Sequence, residues 1–397
     1  MPSVCFYFQV HQPYRVRPYG IFDIGSKHDY FNAEMNREIC RKVAANCYLP
    51  ANALMLELLR KHPEFKVSYS ISGITLEQFA EYAPEVLTSF KRLYATGRVE
   101  FLAETYYHSL SSLFDQKEFK AQVAAHAKAL KDLLGVKKPR VFRNTELIYS
   151  DAIADAVKGM GFAGMLAEGT EKILGRRSPN FVYHAGKARN FKLLLKNFKL
   201  SDDIAFRFSN KGWDQYPLDA AKFARWLRAL KGDTVNLFMD YETIGEHQWK
   251  DSGIFAFFKE LPAAVLKDPK ASFLTPSETL AAYPSAGAVS APEPVSWADA
   301  ERDLSAWLGN PMQDATAAWI YRLGRQVTAS KDRALLDTWR KLQTSDHFYY
   351  MCTKFWSDGD VHKYFSIYDS PQDSYMIMNN VLTDFELRLK KFKPAKA

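Results

Sequence analysis

Seven apolar runs, several of them separated by segments with helical periodicity, constrain the fold of this chain most strongly. They are rich in β-branched and aromatic residues and cover positions 3–10, 66–71, 98–103, 140–144, 162–167, 191–196 and 234–240. Such alternation is typical of βα units around a parallel sheet. A chain of 397 residues is long enough for one large α/β barrel or for two or three smaller domains. The predicted fold class is therefore α/β.

The remaining segments predict the division into domains. Residues 25–63 are mainly helical and predict a helical insertion that packs over the mouth or side of the barrel. Residues 283–294 are dominated by Pro, Ser, Ala and Gly, and helical patterns follow at 296–308, 312–324, 331–344 and 371–390. We interpret residues 1–284 as a catalytic barrel and residues 285–397 as a C-terminal α-helical bundle that contributes to the substrate cleft.

Composition excludes several classes of partner. The chain carries 53 Lys and Arg against 45 Asp and Glu, but the basic residues are dispersed, so no nucleic-acid surface is predicted. No apolar stretch is long enough to cross a bilayer, and the first residues lack the pattern of an export signal. The four cysteines show no paired metal-ligand spacing. These features predict a cytoplasmic protein without a membrane partner and without a cofactor.

Two of the apolar runs end in carboxylates. Glu146 follows the run that ends at Asn144, and Asp240 ends the most hydrophobic run of the chain. Because the carboxyl ends of parallel strands share one rim, both acids could flank a scissile glycosidic bond there. Arg143 and Asn144 are expected to donate hydrogen bonds that hold Glu146 ionised, as a nucleophile requires. Crowding with Glu242 and Glu246 should raise one pKa, and we assign the resulting general acid to Asp240.

Histidines lie at three predicted strand ends, and they form the second group of candidates. His11 and Gln12 follow the first strand, His108 follows the third, and His247 closes the segment after Asp240. They could hydrogen-bond sugar hydroxyls or bind a metal, and spacing alone leaves both possibilities open.

Aromatic and polar residues cluster in two later segments. Trp297, Trp307, Met312 and Gln313 lie in the first, where the tryptophans could serve as sugar-stacking platforms or as core. The second, residues 345–360, could close the substrate cleft or pack within the helical bundle.

At these residues the chain resembles glycoside hydrolase family 57, specifically its short α-amylase-like members. The resemblance is carried by five segments in order, which are residues 11–13, 97–108, 142–149, 240–247 and 297–313. Many members of that family carry Trp-x-Pro before the nucleophile, whereas this chain has Arg143-Asn144-Thr145. The departure bears on the substrate class more than on the mechanism.

The resemblance implies an incomplete (β/α)7 TIM-like barrel with helical insertions, followed by a C-terminal helical bundle. It implies a retaining double displacement on α-1,4-glucans, with Glu146 as nucleophile and Asp240 as general acid/base, and no metal in the chemistry. Its first, second, fourth and fifth regions imply that the substrate is bound by His11, Gln12, His108, Glu242, His247, Trp297, Trp307, Met312 and Gln313.

Three alternatives remain open at this level. The same site could transfer glucan chains, as a 4-α-glucanotransferase or branching-type enzyme does. A metal-dependent hydrolase resembling polysaccharide deacetylases could use the histidines together with Asp240. A glucan-binding protein with weak catalysis is the third alternative, and the presence of both acids argues against it.

Overall fold

The computed structural model describes residues 1–186, 188–354 and 366–391. Its strands are β1 (Ser3–Val10), β2 (Val67–Ile71), β3 (Val99–Phe101), β4 (Val141–Arg143), β5 (Gly164–Glu168), β6 (Tyr183–Ala185), β7 (Ala188–Lys196), β8 (Thr234–Asp240) and β9 (Ala288–Val289). All seven predicted runs contain a strand, and the prediction of an α/β protein is confirmed.

The strands form two sheets in which most neighbours are parallel. One sheet has the order β3-β2-β1-β8, and the other has the order β4-β5-β7-β6-β9, in which β6 and β7 run antiparallel. A parallel bridge between Ala103 and Phe142 connects β3 with β4. The Asn197 N–H donates to the Asn236 carbonyl at 2.9 Å and connects β7 with β8. Seven strands therefore follow one another as β1-β2-β3-β4-β5-β7-β8, and β8 returns to β1.

Side chains of these strands alternate between two apolar clusters, as the pleat requires. On β1, Phe6 and Phe8 pack into the cluster that the surrounding helices share, whereas Cys5 and Tyr7 join a smaller cluster with Phe238 of β8. Every residue of β1 is buried. Because both faces of this sheet are covered, apolar residues occupy successive positions along its strands.

Helices cover the sheets and form the carboxyl-terminal part of the chain. They are α1 (Ala33–Val43), α2 (Leu49–Lys61), α3 (Gly73–Tyr82), α4 (Pro84–Tyr94), α5 (Ser111–Phe114), α6 (Gln116–Ala129), α7 (Asp151–Gly159), α8 (Glu171–Leu174), α9 (Phe198–Ala205), α10 (Ala220–Ala229), α11 (Ile254–Leu266), α12 (Pro276–Ala282), α13 (Pro311–Ser330), α14 (Arg333–Lys341), α15 (Ser345–Tyr349) and α16 (Pro371–Lys391). The predicted helical character of residues 25–63 is confirmed by α1 and α2, which a π-helical turn at Ala44–Tyr48 joins.

Helix α13 forms the centre of the carboxyl-terminal helices and packs against α14 and α16. Its close approach to α14 depends on Gly324, because a Cβ atom at that position would lie 2.5 Å from the Trp339 ring. The predicted helices near 312–324, 331–344 and 371–390 are therefore present, with shifted ends.

The helix predicted over residues 296–308 is wrong, because this segment forms turns. Asp299 and Arg302 adopt positive φ angles of 55° and 50°, which a helix excludes. The Ser296 N–H donates to the Arg302 carbonyl at 3.2 Å, and the Arg302 guanidinium donates to the Trp297 carbonyl. The segment thus closes on itself.

The Pro-rich stretch after residue 282 is tied to the rest of the protein. Strand β9 pairs with β6, and Val295 pairs with Tyr149.

Across the described residues, we find no helix that combines the length and the apolar character needed to span a bilayer.

Candidate active site

Glu146 lies three residues after the end of β4, in a short 3-10 turn where its backbone is left-handed. Its φ angle is 58° and that of Leu147 is 51°, values that residues with a Cβ atom adopt rarely. Oε1 of Glu146 accepts a hydrogen bond from Ser345 Oγ at 2.9 Å, and Oε2 accepts one from Trp297 Nε1 at 2.8 Å. The His108 Nε2 atom lies 3.4 Å from Oε1. This carboxylate is thus held by three groups from distant parts of the chain.

The ionised form of Glu146 is favoured in spite of burial. Burial alone would raise the pKa of its carboxyl, but the hydrogen bond and charge of His108, with the charge of Arg143, lower it below the usual value. The expectation that Arg143 and Asn144 donate hydrogen bonds to Glu146 is wrong. Asn144 Nδ2 instead donates to Ser112 Oγ and to the Ile148 carbonyl, both at 3.0 Å.

His108 connects Glu146 with a second buried carboxylate. Its Nδ1 atom lies 2.9 Å from Glu104 Oε2, and Glu104 Oε1 accepts from Gln9 Nε2 at 3.1 Å. Burial would lower the pKa of His108, but its hydrogen bonds to the two glutamates raise it to about 9. Burial likewise opposes ionisation of Glu104, yet His108 lowers the pKa of that carboxyl to about 2. His108 is therefore an imidazolium at neutral pH.

His11 stacks on His108, with the ring centroids 3.9 Å apart and the planes inclined by 20°. Its Nδ1 lies 2.8 Å from Ser72 Oγ, and its Nε2 lies 2.9 Å from Asp346 Oδ2. Burial and the neighbouring His108 charge lower the pKa of His11. The pKa values of the two stacked rings are thus shifted in opposite directions.

Asp240 ends β8 and differs from Glu146 in its electrostatics. Burial, followed by the negative charge of Glu146, raises the pKa of Asp240 to about 6, although three cations oppose this effect, namely Arg143, Lys196 and His108. The two carboxyls therefore affect each other, and their pKa values are driven in opposite directions. A site with one ionised and one protonated carboxyl can act as nucleophile and acid.

Glu242, two residues after Asp240, is the third acid of this rim. Its Oε1 atom accepts hydrogen bonds from the Tyr48 hydroxyl and, at 3.4 Å, from the His11 N–H. Burial and the charge of Asp240 raise the pKa of Glu242 to about 8. Gln12, also predicted from the sequence, donates from Nε2 to the same Tyr48 hydroxyl at 3.2 Å. Gln12 is thus connected with Glu242 through Tyr48.

The loop after Glu242 is fixed against the turn between α1 and α2. Glu246 pairs with Lys42 at 2.5 Å and accepts from Asn46 at 3.3 Å. Gly245 has a φ angle of 108°, and a Cβ atom there would lie 2.2 Å from the Asn46 carbonyl oxygen. His247 donates from its backbone N–H to the Glu242 carbonyl at 2.8 Å, and burial lowers the pKa of its ring to about 4.

The predicted aromatic platforms occupy different environments. Trp297 reaches the site, but its indole N–H is bound to Glu146. Trp307 is 1% exposed and packs in the apolar cluster of the carboxyl-terminal helices, so it offers no free face to a sugar. Gln313 is buried, and its amide binds the Gly309 N–H and the carbonyls of Ala306 and Phe348. Met312 is the second residue of α13 and is half-buried against the same cluster.

Residues 345–350 of the second aromatic segment approach the site, since Ser345 binds Glu146 and Asp346 binds His11. The other part of that prediction, residues 356–360, lies outside the described residues.

A buried ionic cluster beside Trp297 escaped the sequence prediction. Lys196 Nζ lies 3.1 Å from Asp202 Oδ1 and 3.8 Å from Glu168 Oε2, and Arg302 contacts both acids at 3.3 and 3.6 Å. Burial, opposed by the charges of Lys196 and Arg302, raises the pKa of Glu168 to about 7.

The sequence prediction also missed Glu104, the carboxylate that contacts His108. Both Glu104 and Glu168 follow apolar runs, so the strand-end pattern that selected Glu146 could have found them.

The described residues do not assemble the donor atoms of a metal centre. Among residues 1–186, 188–354 and 366–391, no three His, Cys, Asp or Glu side chains are grouped so as to hold a metal ion. The described ring nitrogens of His11 and His108 contact Ser72, Asp346, Glu104 and Glu146.

The chain is similar to known proteins in both sequence and fold. The family described as Glycosyl hydrolase family 57 matches residues 5–292. A Methanocaldococcus jannaschii protein named "Putative alpha-amylase" is 43% identical over 401 aligned residues, covering 98% of this chain and 85% of that protein.

Two crystal structures have a similar fold. A branching enzyme from Thermococcus kodakaraensis, in complex with glucose, aligns with a TM-score of 0.68 at 14% identity, covering 89% of this chain and 86% of that chain. A 4-alpha-glucanotransferase from Thermococcus litoralis aligns with a TM-score of 0.63 at 17% identity. The second alignment covers 87% of this chain but only 56% of that enzyme.

Proposed function

This chain belongs to glycosyl hydrolase family 57, and from that membership and the geometry of its site we propose that it is a retaining glycosidase acting on α-1,4-glucans. The proposal includes an α-amylase-like activity, with water as the ordinary acceptor and sugars as alternative acceptors. It also includes the architecture, in which strands β1 to β5, β7 and β8 form an incomplete (β/α)7 barrel within residues 1–284. The helices of residues 285–397 form the bundle that completes the cleft.

One observation supports the mechanism. The surrounding residues lower the pKa of Glu146 and raise the pKa of Asp240. Glu146 accepts hydrogen bonds from Ser345 and Trp297 and lies beside the charged His108, which favours its ionised form. Burial and the charge of Glu146 favour the protonated form of Asp240. These are the states that a nucleophile and a general acid need at the start of a double displacement.

The first chemical step forms a glycosyl-enzyme. The Glu146 carboxylate attacks the anomeric carbon of the sugar, and the bond between that carbon and the glycosidic oxygen breaks. Asp240 transfers its proton to the departing oxygen, so the leaving glucan is released as a neutral alcohol. Glu146 is now esterified, and Asp240 is ionised.

The second step reverses these roles. Asp240 removes a proton from water while the water oxygen attacks the anomeric carbon, and the ester bond to Glu146 breaks. Both carboxyls return to their starting states, and the product keeps the α configuration. If a sugar hydroxyl takes the place of water, the same step transfers the glycosyl group.

The other site residues have supporting roles in this proposal. Glu242 binds a substrate hydroxyl near the scissile bond, and Gln12 acts on Glu242 through Tyr48. His11 and His108, which the sequence predicted to bind sugar, support the site instead, because their ring nitrogens are engaged by Ser72, Asp346, Glu104 and Glu146. His247 and Met312 contact sugars further from the bond. Trp297 orients the nucleophile, and the buried Trp307 and Gln313 support the loop that carries Trp297.

Product analysis on maltoheptaose tests the proposal. The wild-type enzyme should release shorter maltooligosaccharides, and products longer than maltoheptaose would reveal transfer. Glu146→Gln should lower the turnover rate on the order of 10⁴-fold, a loss typical of removing one member of a catalytic group. The matched control is Glu260→Gln on the exposed surface of α11, which should keep the wild-type rate. Substantial activity of the folded Glu146→Gln variant would overturn the assignment.

A further inference from the structure

Arg143 is a buried cation for which the two-carboxyl mechanism gives no role. It is the last residue of β4, three positions before Glu146, and it is 0% exposed. None of its three guanidinium nitrogens has a hydrogen-bond partner among the described residues. Arginine stays charged in proteins, and a buried charge without direct partners is costly. The side chain therefore needs a compensating interaction.

The face of Trp297 provides the direct contact. The guanidinium carbon of Arg143 lies 4.8 Å from the centroid of the Trp297 ring, within the range of a cation–π interaction. Lys196 Nζ lies 5.3 Å from the same centroid. The indole N–H of this ring donates to Glu146 Oε2, and the Trp297 backbone N–H donates to the Glu146 carbonyl at 3.2 Å. Arg143 thus touches the group that orients Glu146.

Negative charges around Arg143 provide compensation at longer range. Its charge stabilises the ionised forms of three carboxyls on three different elements, which are Glu146 after β4, Glu104 after β3 and Asp240 at the end of β8. Other charged or titratable groups facing this carboxyl pair are His108, Lys196, Asp346 and Glu242. Arg143 is distinguished from them because it is always charged and has no hydrogen-bonded partner of its own.

Direct binding of substrate by Arg143 does not fit this geometry. All three guanidinium nitrogens are shielded from solvent, so a sugar hydroxyl could reach them only if Trp297 or a neighbour moved. Arg143 must therefore act on other protein groups.

We propose that Arg143 is a positioning residue for the catalytic pair, stabilising the Glu146 carboxylate through its charge and fixing the Trp297 indole that donates to it. This role rests on the proposed function, because it concerns the same two acids. The Arg143-Asn144-Thr145 sequence before the nucleophile then marks a site with a fixed charge next to the carboxyl pair.

Two substitutions separate charge from packing. Arg143→Met keeps an unbranched side chain but removes the charge, and Arg143→Lys keeps a charge without the planar guanidinium. Removing a positive charge raises the pKa values of both Glu146 and Asp240, so the acidic and basic limits of kcat/KM should both move to higher pH in Arg143→Met. The maximal kcat should fall by about 100-fold, as for the loss of one preorganised electrostatic contact.

Arg143→Lys should return both limits toward those of the wild type while kcat stays reduced, because the Trp297 ring loses its planar partner. The matched control is Arg37→Met, which removes a surface cation–π contact with Tyr82 at 5.7 Å. It should leave the profile unchanged. A stable Arg143→Met variant with reduced kcat and unshifted pH limits would show a merely structural role and would overturn the inference.

A readout without substrate separates this inference from the proposed function. The ¹⁵N-labelled indole resonance of Trp297, identified by its loss in Trp297→Phe, should titrate with Glu146 in the wild type. In Arg143→Met the midpoint should move to higher pH. If that shift occurs but maltooligosaccharides are not cleaved, the proposed function fails while the placement of Arg143 stands. If cleavage occurs and the midpoint does not move, the role of Arg143 is wrong.

Discussion

The imidazole rings of His11 and His108 lie face to face at 3.9 Å, yet their pKa values are driven in opposite directions. His108 lies between two glutamates and holds a proton to about pH 9, whereas burial and the charge of His108 keep His11 neutral. Two stacked imidazoliums would repel each other at this distance. The stacked pair thus favours a proton on His108 and disfavours one on His11.

The pH profile of kcat/KM should be bell-shaped with an optimum in weakly acidic solution. Glu146 must be ionised, and its pKa lies below the usual value, whereas Asp240 must be protonated, and its pKa is raised to about 6. Activity of the free enzyme should therefore fall as the pH rises above about 6. Initial rates on a soluble maltooligosaccharide between pH 4 and pH 9 test this, and a constant rate up to pH 9 would contradict the assignment of Asp240.

Folding stability should decrease as the pH rises from about 6.5 to about 9. The pKa of His108 is raised in the folded state, so its contribution is complete below the unfolded value and is lost as the pH passes the folded value. Urea unfolding at several pH values measures this decrease.

Glu104→Gln provides the comparison for that experiment. The variant removes one of the two carboxylates that hold the His108 proton, so the pKa of His108 should fall. The decrease of the unfolding free energy should then be smaller and should begin at a lower pH. An unchanged pH dependence in Glu104→Gln would mean that another group is responsible.

Azide should distinguish the two carboxyls by the stereochemistry of its products. In Glu146→Ala, azide enters the space of the missing carboxylate and attacks the α-glycoside directly, so a β-glycosyl azide is expected. In Asp240→Ala, azide attacks the glycosyl-enzyme on Glu146 and should give an α-glycosyl azide. Proton NMR of the anomeric centre identifies each product, and the same azide anomer from both variants would be incompatible with the assigned roles.

Gly245→Ala should impair both stability and activity. The residue has a positive φ angle, and the new methyl group would collide with the Asn46 carbonyl at 2.2 Å. The expected destabilisation is about 1–3 kcal/mol from backbone strain, with more from the collision. Gly253→Ala is the matched control, because its φ angle is 88° and no atom lies within 4 Å of the new Cβ. Equal unfolding free energies for the two variants would contradict the collision.

Chelators should leave the rate on maltooligosaccharides unchanged. The ring nitrogens of His11 and His108 are engaged by hydroxyl and carboxylate groups of the protein, so neither histidine offers a free ligand atom without rearrangement. Activity assays with and without EDTA, together with zinc analysis of the purified protein, test this. Stoichiometric zinc combined with loss of activity in EDTA would favour the deacetylase-like alternative.

Local sequence patterns predicted much of the framework. Each of the seven predicted apolar runs contains a strand, and α1 and α2 lie within the region 25–63 that was predicted to be helical. Glu146 and Asp240 also lie at strand ends, as expected. These features depend on a few consecutive residues, so they can be predicted without knowledge of the rest of the chain.

Contacts between distant segments could not be predicted in the same way. The donors to Glu146 come from Trp297 and Ser345 rather than from its neighbours, because the left-handed backbone at Glu146 breaks the regular path of the chain. Residues 296–308 have helical composition, but the interactions of Arg302 outweigh that preference.

The separation of Glu146 from its donors has a consequence for how the enzyme is made. Trp297 and Ser345 follow Glu146 by 151 and 199 positions. In a growing polypeptide, the hydrogen bonds that orient Glu146 can therefore form only after Ser345 has been added. The proposed nucleophile is fully oriented only once that late part of the chain has been synthesised and has folded against β4.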